Sequence, residues 1–212
     1  MAGTDTTAVP GHLYVIAAPS GAGKTSLVKA LLAQEPSARF SISYTTRKQR
    51  SAEVDGRDYF FVDRARFEQM VAAGEFLEHA LVFDNYYGTA RAQVEQLLTQ
   101  GANVILEIDW QGARQIRGVM QDCRSIFILP PSRAELERRL RNRGTDDETV
   151  IQRRLRDAVS DMSHWAEFDY VVVNADFDQA LAELKAIVLR QGDALRADRP
   201  ALKSLIAELL TR

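Results

Sequence analysis

Residues 19–25 read Pro-Ser-Gly-Ala-Gly-Lys-Thr, and few heptapeptides limit a chain's folding options more tightly. The run before them, Leu13 to Ala18, is short and apolar, which predicts a buried strand. The run after them places Leu27, Val28, Leu31 and Leu32 at helical spacing from Lys24 to Gln34, and Pro36 closes it. A strand that turns through glycines into a helix points several backbone N–H groups and the helix N-terminus at one spot, which favours a phosphate there. Ser20, Gly21, Ala22, Gly23, Lys24, Thr25 and Ser26 are the candidate loop residues. Lys24 would reach the β- and γ-phosphates, and the Thr25 hydroxyl would hold Mg2+. The strict pattern has glycine where this chain has Ala18.

The alternation continues. Strands are expected at Val104–Ile108, Ser125–Leu129 and Tyr170–Val173, and helices at Gln111–Val119, Ser132–Asn142 and Phe177–Arg190. Ser132 with Glu135 and Thr145 with Glu148 each read as a capping box. The second would open a long helix whose stripe is Ile151, Leu155, Ala158, Val159, Met162 and Trp165. Residues 194–212 read as one more amphipathic helix, with Leu202, Leu205, Ile206 and Leu209 on one face. Such alternation implies an α/β fold: a three-layer P-loop core around a parallel sheet. Residues 41–89 break the rhythm and read as an inserted mixed lobe. The core is then 12–40 and 90–212, with a lid near 139–154 whose polar segment 143–148 joins two helices. Residues 1–11 read as a disordered leader without signal-peptide character.

The formal net charge is −2, which suggests neither a nucleic-acid nor a membrane partner. Cys123 is the lone cysteine, a packing residue that fits a reducing cytoplasm. Glu107 and Asp109 end an apolar run beside the loop, where carboxylates order Mg2+, its waters or a substrate group. Arg47 and Arg50 lie three apart in a hydroxyl-rich loop, Ser-Ile-Ser-Tyr-Thr-Thr-Arg-Lys-Gln-Arg, and planar guanidiniums suit bidentate phosphate binding.

The chain then shows, in order, Gly56-Arg57-Asp58-Tyr59-Phe60-Phe61, Gly74-Glu75-Phe76-Leu77-Glu78, Asn85-Tyr86-Tyr87-Gly88-Thr89 and Glu107-Ile108-Asp109-Trp110-Gln111-Gly112, with lid arginines Arg139, Arg143 and Arg154. With Thr45-Thr46-Arg47 and Arg50, this succession resembles the guanylate kinase family from about Leu13 to Arg190. The resemblance implies transfer of the γ-phosphoryl group of ATP to GMP, with dGMP as an alternative acceptor, Mg2+ accompanying ATP, a role in purine metabolism, and a homo-oligomer as an open question. It implies that Ser43, Glu78 and Thr89 grip the guanine. Arg47, Arg50, Tyr59 and Tyr87 would hold the GMP phosphate, and Asp109 would lie near nucleotide and Mg2+ waters. Lys24, Arg47, Arg139, Arg143 and Arg154 would surround the transferred group, and Asn174 would touch the adenine. Glu107 stands where the family usually has Asp, and Thr89 where Ser is common.

The chemistry of the base agrees. Guanine offers N1–H and N2–H side by side, and one carboxylate accepts both; adenine has no such pair. Two rival classes remain. One is a catalytically dead interaction module, which would lack an intact phosphate loop, whereas Lys24, Thr25 and the lid arginines are present. The other is a kinase of a different acceptor, such as a phosphorylated sugar, which Glu78 and Tyr87 weigh against.

Overall fold

The computed structural model describes residues 11–82, 84–142 and 147–211. The notional leader up to residue 10 and the lid residues 143–146, Arg143 included, lie outside this set. Gly11 is described, and its N–H donates to Leu98 O.

Five parallel strands make the main sheet. They are β1 (Leu13–Ala17), β2 (Ala38–Phe40), β7 (Asn103–Glu107), β8 (Arg124–Leu129) and β9 (Tyr170–Val173), in the order β2-β7-β1-β8-β9. Their near-continuous apolar character reflects burial on both faces. Along β1 the pleat sends Leu13, Val15 and Ala17 into one core layer and Tyr14 and Ile16 into the other. Helices α1 (Lys24–Gln34) and α7 (Phe177–Val188) cover the second face, through Leu27, Leu31, Leu184 and Ile187. Helices α4 (Trp110–Val119), α5 (Arg133–Arg141) and α6 (Glu148–Met162) cover the first, through Ile116, Leu136, Leu140, Ala158 and Met162. Cys123 packs at the margin of that layer, and burial pushes its thiol up to about 11.

Between β2 and β7 the chain builds a second sheet, order β4-β3-β6-β5, from β3 (Tyr44–Thr45), β4 (Phe60–Phe61), β5 (Phe76–Val82) and β6 (Asn85–Ala90). Helix α2 (Arg64–Ala72) seals it. Phe67 stacks on Phe76 and Tyr86, and with Met70 these rings form a small separate core. Helix α3 (Arg91–Thr99) leads back to the main sheet.

Three sequence expectations need correction. The long helix is not opened by Thr145: Asp147 is the cap, its carboxylate accepting from Val150 N–H, and the helix ends at Met162, so Trp165 sits in a following 3-10 turn. The Ser132 box is only half made. Ser132 accepts from Glu135 N–H, but the Glu135 carboxylate turns to Arg138 and Arg139. The tail is not one helix from 194. It holds two 3-10 turns, Asp193–Leu195 and Pro200–Leu202, before α8 (Lys203–Leu210). Pro200 offers no N–H and disfavours helix at Arg199, so the α-helix starts only beyond it. Leu202, Ile206 and Leu209 are buried as expected.

Candidate active site

The phosphate loop follows β1 and ends on α1. Positive φ falls at Gly21 (+92°) and Gly23 (+95°), and not at Ala18, so the departure from the strict glycine pattern costs the loop nothing. Each glycine is also held close by a neighbour. A Cβ on Gly21 would lie 2.9 Å from Leu136 Cδ1, and one on Gly23 would lie 2.3 Å from Asn174 Nδ2. Gly23 caps α1 without any side-chain acceptor, and the first helical turn carries no acid. Those N–H donors are left for an anion.

Asn174, expected at the adenine, is buried against the loop itself. Its Nδ2 donates to Ala22 O at 2.7 Å. Arg139 reinforces the same point from α5: Nη2 donates to Asn174 O at 2.9 Å and Nη1 to Ala22 O at 3.4 Å, while Glu135 accepts from Nε at 2.7 Å. Arg154 lies half-buried on α6. Ser20 and Lys24 are half-exposed, and Thr25 and Ser26 are exposed.

Lys24 Nζ donates to Ile108 O at 2.9 Å, so its charge crosses from the loop to the end of β7. The Thr25 hydroxyl donates to Glu107. Sequence reasoning left the contact of Glu107 open; the structure pairs it with the residue expected to hold Mg2+. Thr25 Oγ1 and Glu107 offer oxygen donors in contact with each other, and Asp109 lines the same cavity as Glu107; oxygen donors of this kind suit Mg2+. Among the described residues no three His, Cys, Asp or Glu side chains converge as a metal site, so such an ion would also need oxygens of the nucleotide.

A cavity of about 180 Å³ opens between the loop and the inserted lobe, lined by Lys24, Ser43, Tyr59, Glu78, Tyr87, Glu107 and Asp109 among others. Glu78 is its deepest polar group, 4% exposed. The β5–β6 register shifts between Phe76 and Glu78, a bulge that leaves Phe76, Leu77 and Glu78 all buried in succession. Leu77 joins the main core while Glu78 faces the cavity. Thr89, fully buried, donates from Oγ1 to Glu78 Oε1 at 2.6 Å. Desolvation pushes the Glu78 carboxyl up to about 7, with the Asp109 charge adding in the same direction and the Thr89 bond opposing. Asp109 caps α4, its Oδ1 accepting from Gly112 N–H at 2.8 Å.

Arg47 lies beside this cavity, its guanidinium 5.3 Å from the ring of Tyr59, one of the lining residues. Tyr59 and Tyr87 meet edge to face at 5.9 Å. Burial raises the Tyr59 phenol above its usual range. Arg50 is largely exposed, its side chain 74% accessible.

Sequence reasoning missed two residues here. Glu53 accepts from Arg47 Nη2 at 2.7 Å; the only signal was an acid three residues after Arg50. Gly112 was noted in a motif without a role. A Cβ there would come 2.7 Å from Glu78 Oε2 and 3.2 Å from Ile108 Cδ1. Gly112→Ala should therefore displace the Glu78 carboxylate. Overpacking of this kind costs about 1–3 kcal/mol, so the KM of a ligand held by Glu78 should rise roughly tenfold. Steady-state KM values for both nucleotides would check this, and equal, small changes in the two would contradict it.

A family model described as guanylate kinase matches residues 11–191. A guanylate kinase of Alkalilimnicola ehrlichii is 57% identical over 202 residues, covering 95% of this chain and all of the relative. One from Methylococcus capsulatus is 58% identical over 200 residues, covering 94% of this chain and 98% of the relative. Among solved structures, the guanylate kinase of Anaplasma phagocytophilum superposes with a TM-score of 0.72 at 33% identity, covering 96% of this chain and 98% of that one.

Proposed function

The chain belongs to the guanylate kinase family and transfers the γ-phosphoryl group of ATP to GMP, giving ADP and GDP; we propose that the cavity between phosphate loop and inserted lobe is where it does so. The observation that carries this reading is Glu78. A buried carboxylate, held by Thr89 and facing a cavity that also contains Lys24, matches a base with two adjacent N–H donors.

GMP enters with its guanine towards Glu78, Thr89 and Ser43. Its phosphate meets Arg47, Arg50, Tyr59 and Tyr87. ATP lies along Ser20, Gly21, Ala22, Gly23, Lys24, Thr25 and Ser26. Its β- and γ-phosphates face the donors that Gly23 leaves open at the start of α1. Asn174 and Arg139 hold Ala22 O and so fix the loop from behind. Mg2+, carried with ATP beside Thr25, Glu107 and Asp109, supplies neutralisation of phosphate charge. Arg139 and Arg154 add positive charge from α5 and α6, and the family resemblance assigns Arg143, which lies outside the described residues, to the same task.

The acceptor phosphate has a second pKa of about 6, so it is largely ionised at neutral pH and requires no strong general base. Alignment of the two phosphates and neutralisation of developing charge then supply the acceleration. His79 and His164 fit this account by standing apart. His79 is exposed, and His164 stacks on Trp110 at 3.6 Å and bonds Glu167.

We also place the reaction in purine metabolism in the cytoplasm, with dGMP as a second acceptor. Among the described residues no helix is long and apolar enough to cross a membrane. The test is an ADP-release assay across GMP, dGMP, AMP, CMP and UMP. GMP should be turned over fastest and dGMP next. Comparable turnover of AMP would overturn the assignment of the cavity to guanine.

A further inference from the structure

We infer that Glu53 is a positioning residue for the acceptor phosphate: it holds Arg47 in place and leaves Arg50 free to close. The inference rests on the reading above, in which both arginines bind the phosphate of GMP.

The geometry is a carboxylate that divides its two oxygens between the two arginines. Oε1 accepts from Arg47 Nη2 at 2.7 Å, and Oε2 accepts from the backbone N–H of Arg50 at 2.8 Å. Both members of the Glu53–Arg47 pair are shielded, with side chains 16% and 15% exposed. The Glu53 backbone closes the same turn, since its N–H donates to Arg50 O at 3.0 Å and its carbonyl accepts from Gln49 Nε2 at 2.6 Å. Arg47 is confined on its remaining sides. Nη1 donates to Lys48 O, and the guanidinium lies against the Tyr59 and Phe61 rings. The Arg50 side chain is different. It is 74% exposed, and its Nη1 comes only within 4.0 Å of Glu53.

A carboxylate here repels a phosphate, so attraction cannot be its use. What it supplies is order. A guanidinium already fixed at the acceptor end loses no rotamer freedom when the phosphate arrives. The Arg47 bond also keeps the Glu53 carboxyl below its usual range, so the clamp is charged at neutral pH. The rival account makes Glu53 a stand-in for the phosphate, one that GMP must displace. The two accounts predict opposite signs.

The experiment is calorimetry of the full chain with GMP and with guanosine, which lacks the phosphate, in wild type, Glu53→Ala, Glu53→Gln and Arg47→Ala, alongside KM for ATP. Glu53→Ala should weaken GMP roughly tenfold, with guanosine and ATP each moving less than about twofold. Glu53→Gln keeps one acceptor for Arg47 but cannot accept from Arg50 N–H, and should recover part of the loss. An unchanged ratio of GMP to guanosine affinity in Glu53→Ala would overturn the inference, and tighter GMP binding would replace it with displacement. If Arg47→Ala also left that ratio unchanged, the assignment of Arg47 to the phosphate would be what failed. Should Glu53→Ala not fold, Glu53→Asp, one methylene too short to span both partners, is expected to show the same selective loss.

Discussion

Lys24→Ala is expected to lower kcat by roughly 10³-fold while the protein stays folded. In the structure the ammonium group bridges from the first residue of α1 to Ile108 O, at the end of the neighbouring strand β7. From there it overlooks both the phosphate loop and the cavity. Charge moves between two phosphates in the reaction, and a fixed cation aimed at that path acts chiefly in the transition state. Substitution by alanine removes this charge and one partly exposed hydrogen bond. It buries no new polar group, and alanine is the better helix former. Melting temperature should therefore change little. The measurement is kcat at saturating ATP and GMP beside a thermal melt. A folded variant within about tenfold of wild type would remove Lys24 from the chemistry.

Glu78→Ala should lower kcat/KM for GMP by at least roughly 10²-fold, with the slow turnover of AMP little altered. AMP gains nothing from the carboxylate and has little to lose. ATP affinity is the control for general damage. An equal fall for both acceptors, or a GMP loss under about tenfold, would place base recognition elsewhere.

The raised Glu78 carboxyl adds a pH signature. Below 4.5 the group is protonated in folded and unfolded chains alike. Between 4.5 and about 7 the unfolded chain has released the proton and the folded chain keeps it, so this group's contribution to stability falls as pH rises through that window and is level above it. The shift corresponds to roughly 3 kcal/mol of strain in the ionised free protein. Two N–H donors from guanine offset that strain, so GMP affinity should strengthen as pH climbs through 7. The limb should be missing in Glu78→Ala, and its persistence there would assign it to another group.

Much of this site was legible in the residues. Buried parallel strands have to be apolar runs, so β1, β7, β8 and β9 were marked within a residue or so, and the glycines of the loop fell where positive φ is needed. The family motifs then brought Ser43, Glu78, Tyr87, Thr89 and Asp109 to one region, and the structure gathers them around or against one cavity. Other features had no local signal. Period-two alternation would send Leu77 to the face opposite Glu78 and Phe76, and only the bulge explains three buried neighbours. Glu53 sits in a polar loop, where an acid reads as solvated surface. Glu107 read as a strand-end carboxylate beside the phosphate loop, but its contact stayed open until α1 brought Thr25 against it. Pro200 was visible but underweighted against the apolar stripe of the tail.

The inserted lobe also bears on how the chain folds. Phe40 and Asn103 end and begin adjacent parallel strands, yet the whole lobe separates them in sequence. Within the lobe, Tyr44 is the cross-strand partner of Gly88, so forming the antiparallel β3–β6 pair of its own sheet brings its two ends together. The excursion that β2 and β7 must close then shrinks from roughly sixty residues to fewer than about twenty, which lowers the closure entropy by roughly 1 kcal/mol. The segment proposed to read the acceptor base is thus also an internal staple, and a lobe that formed first would hand the parallel sheet a shorter search.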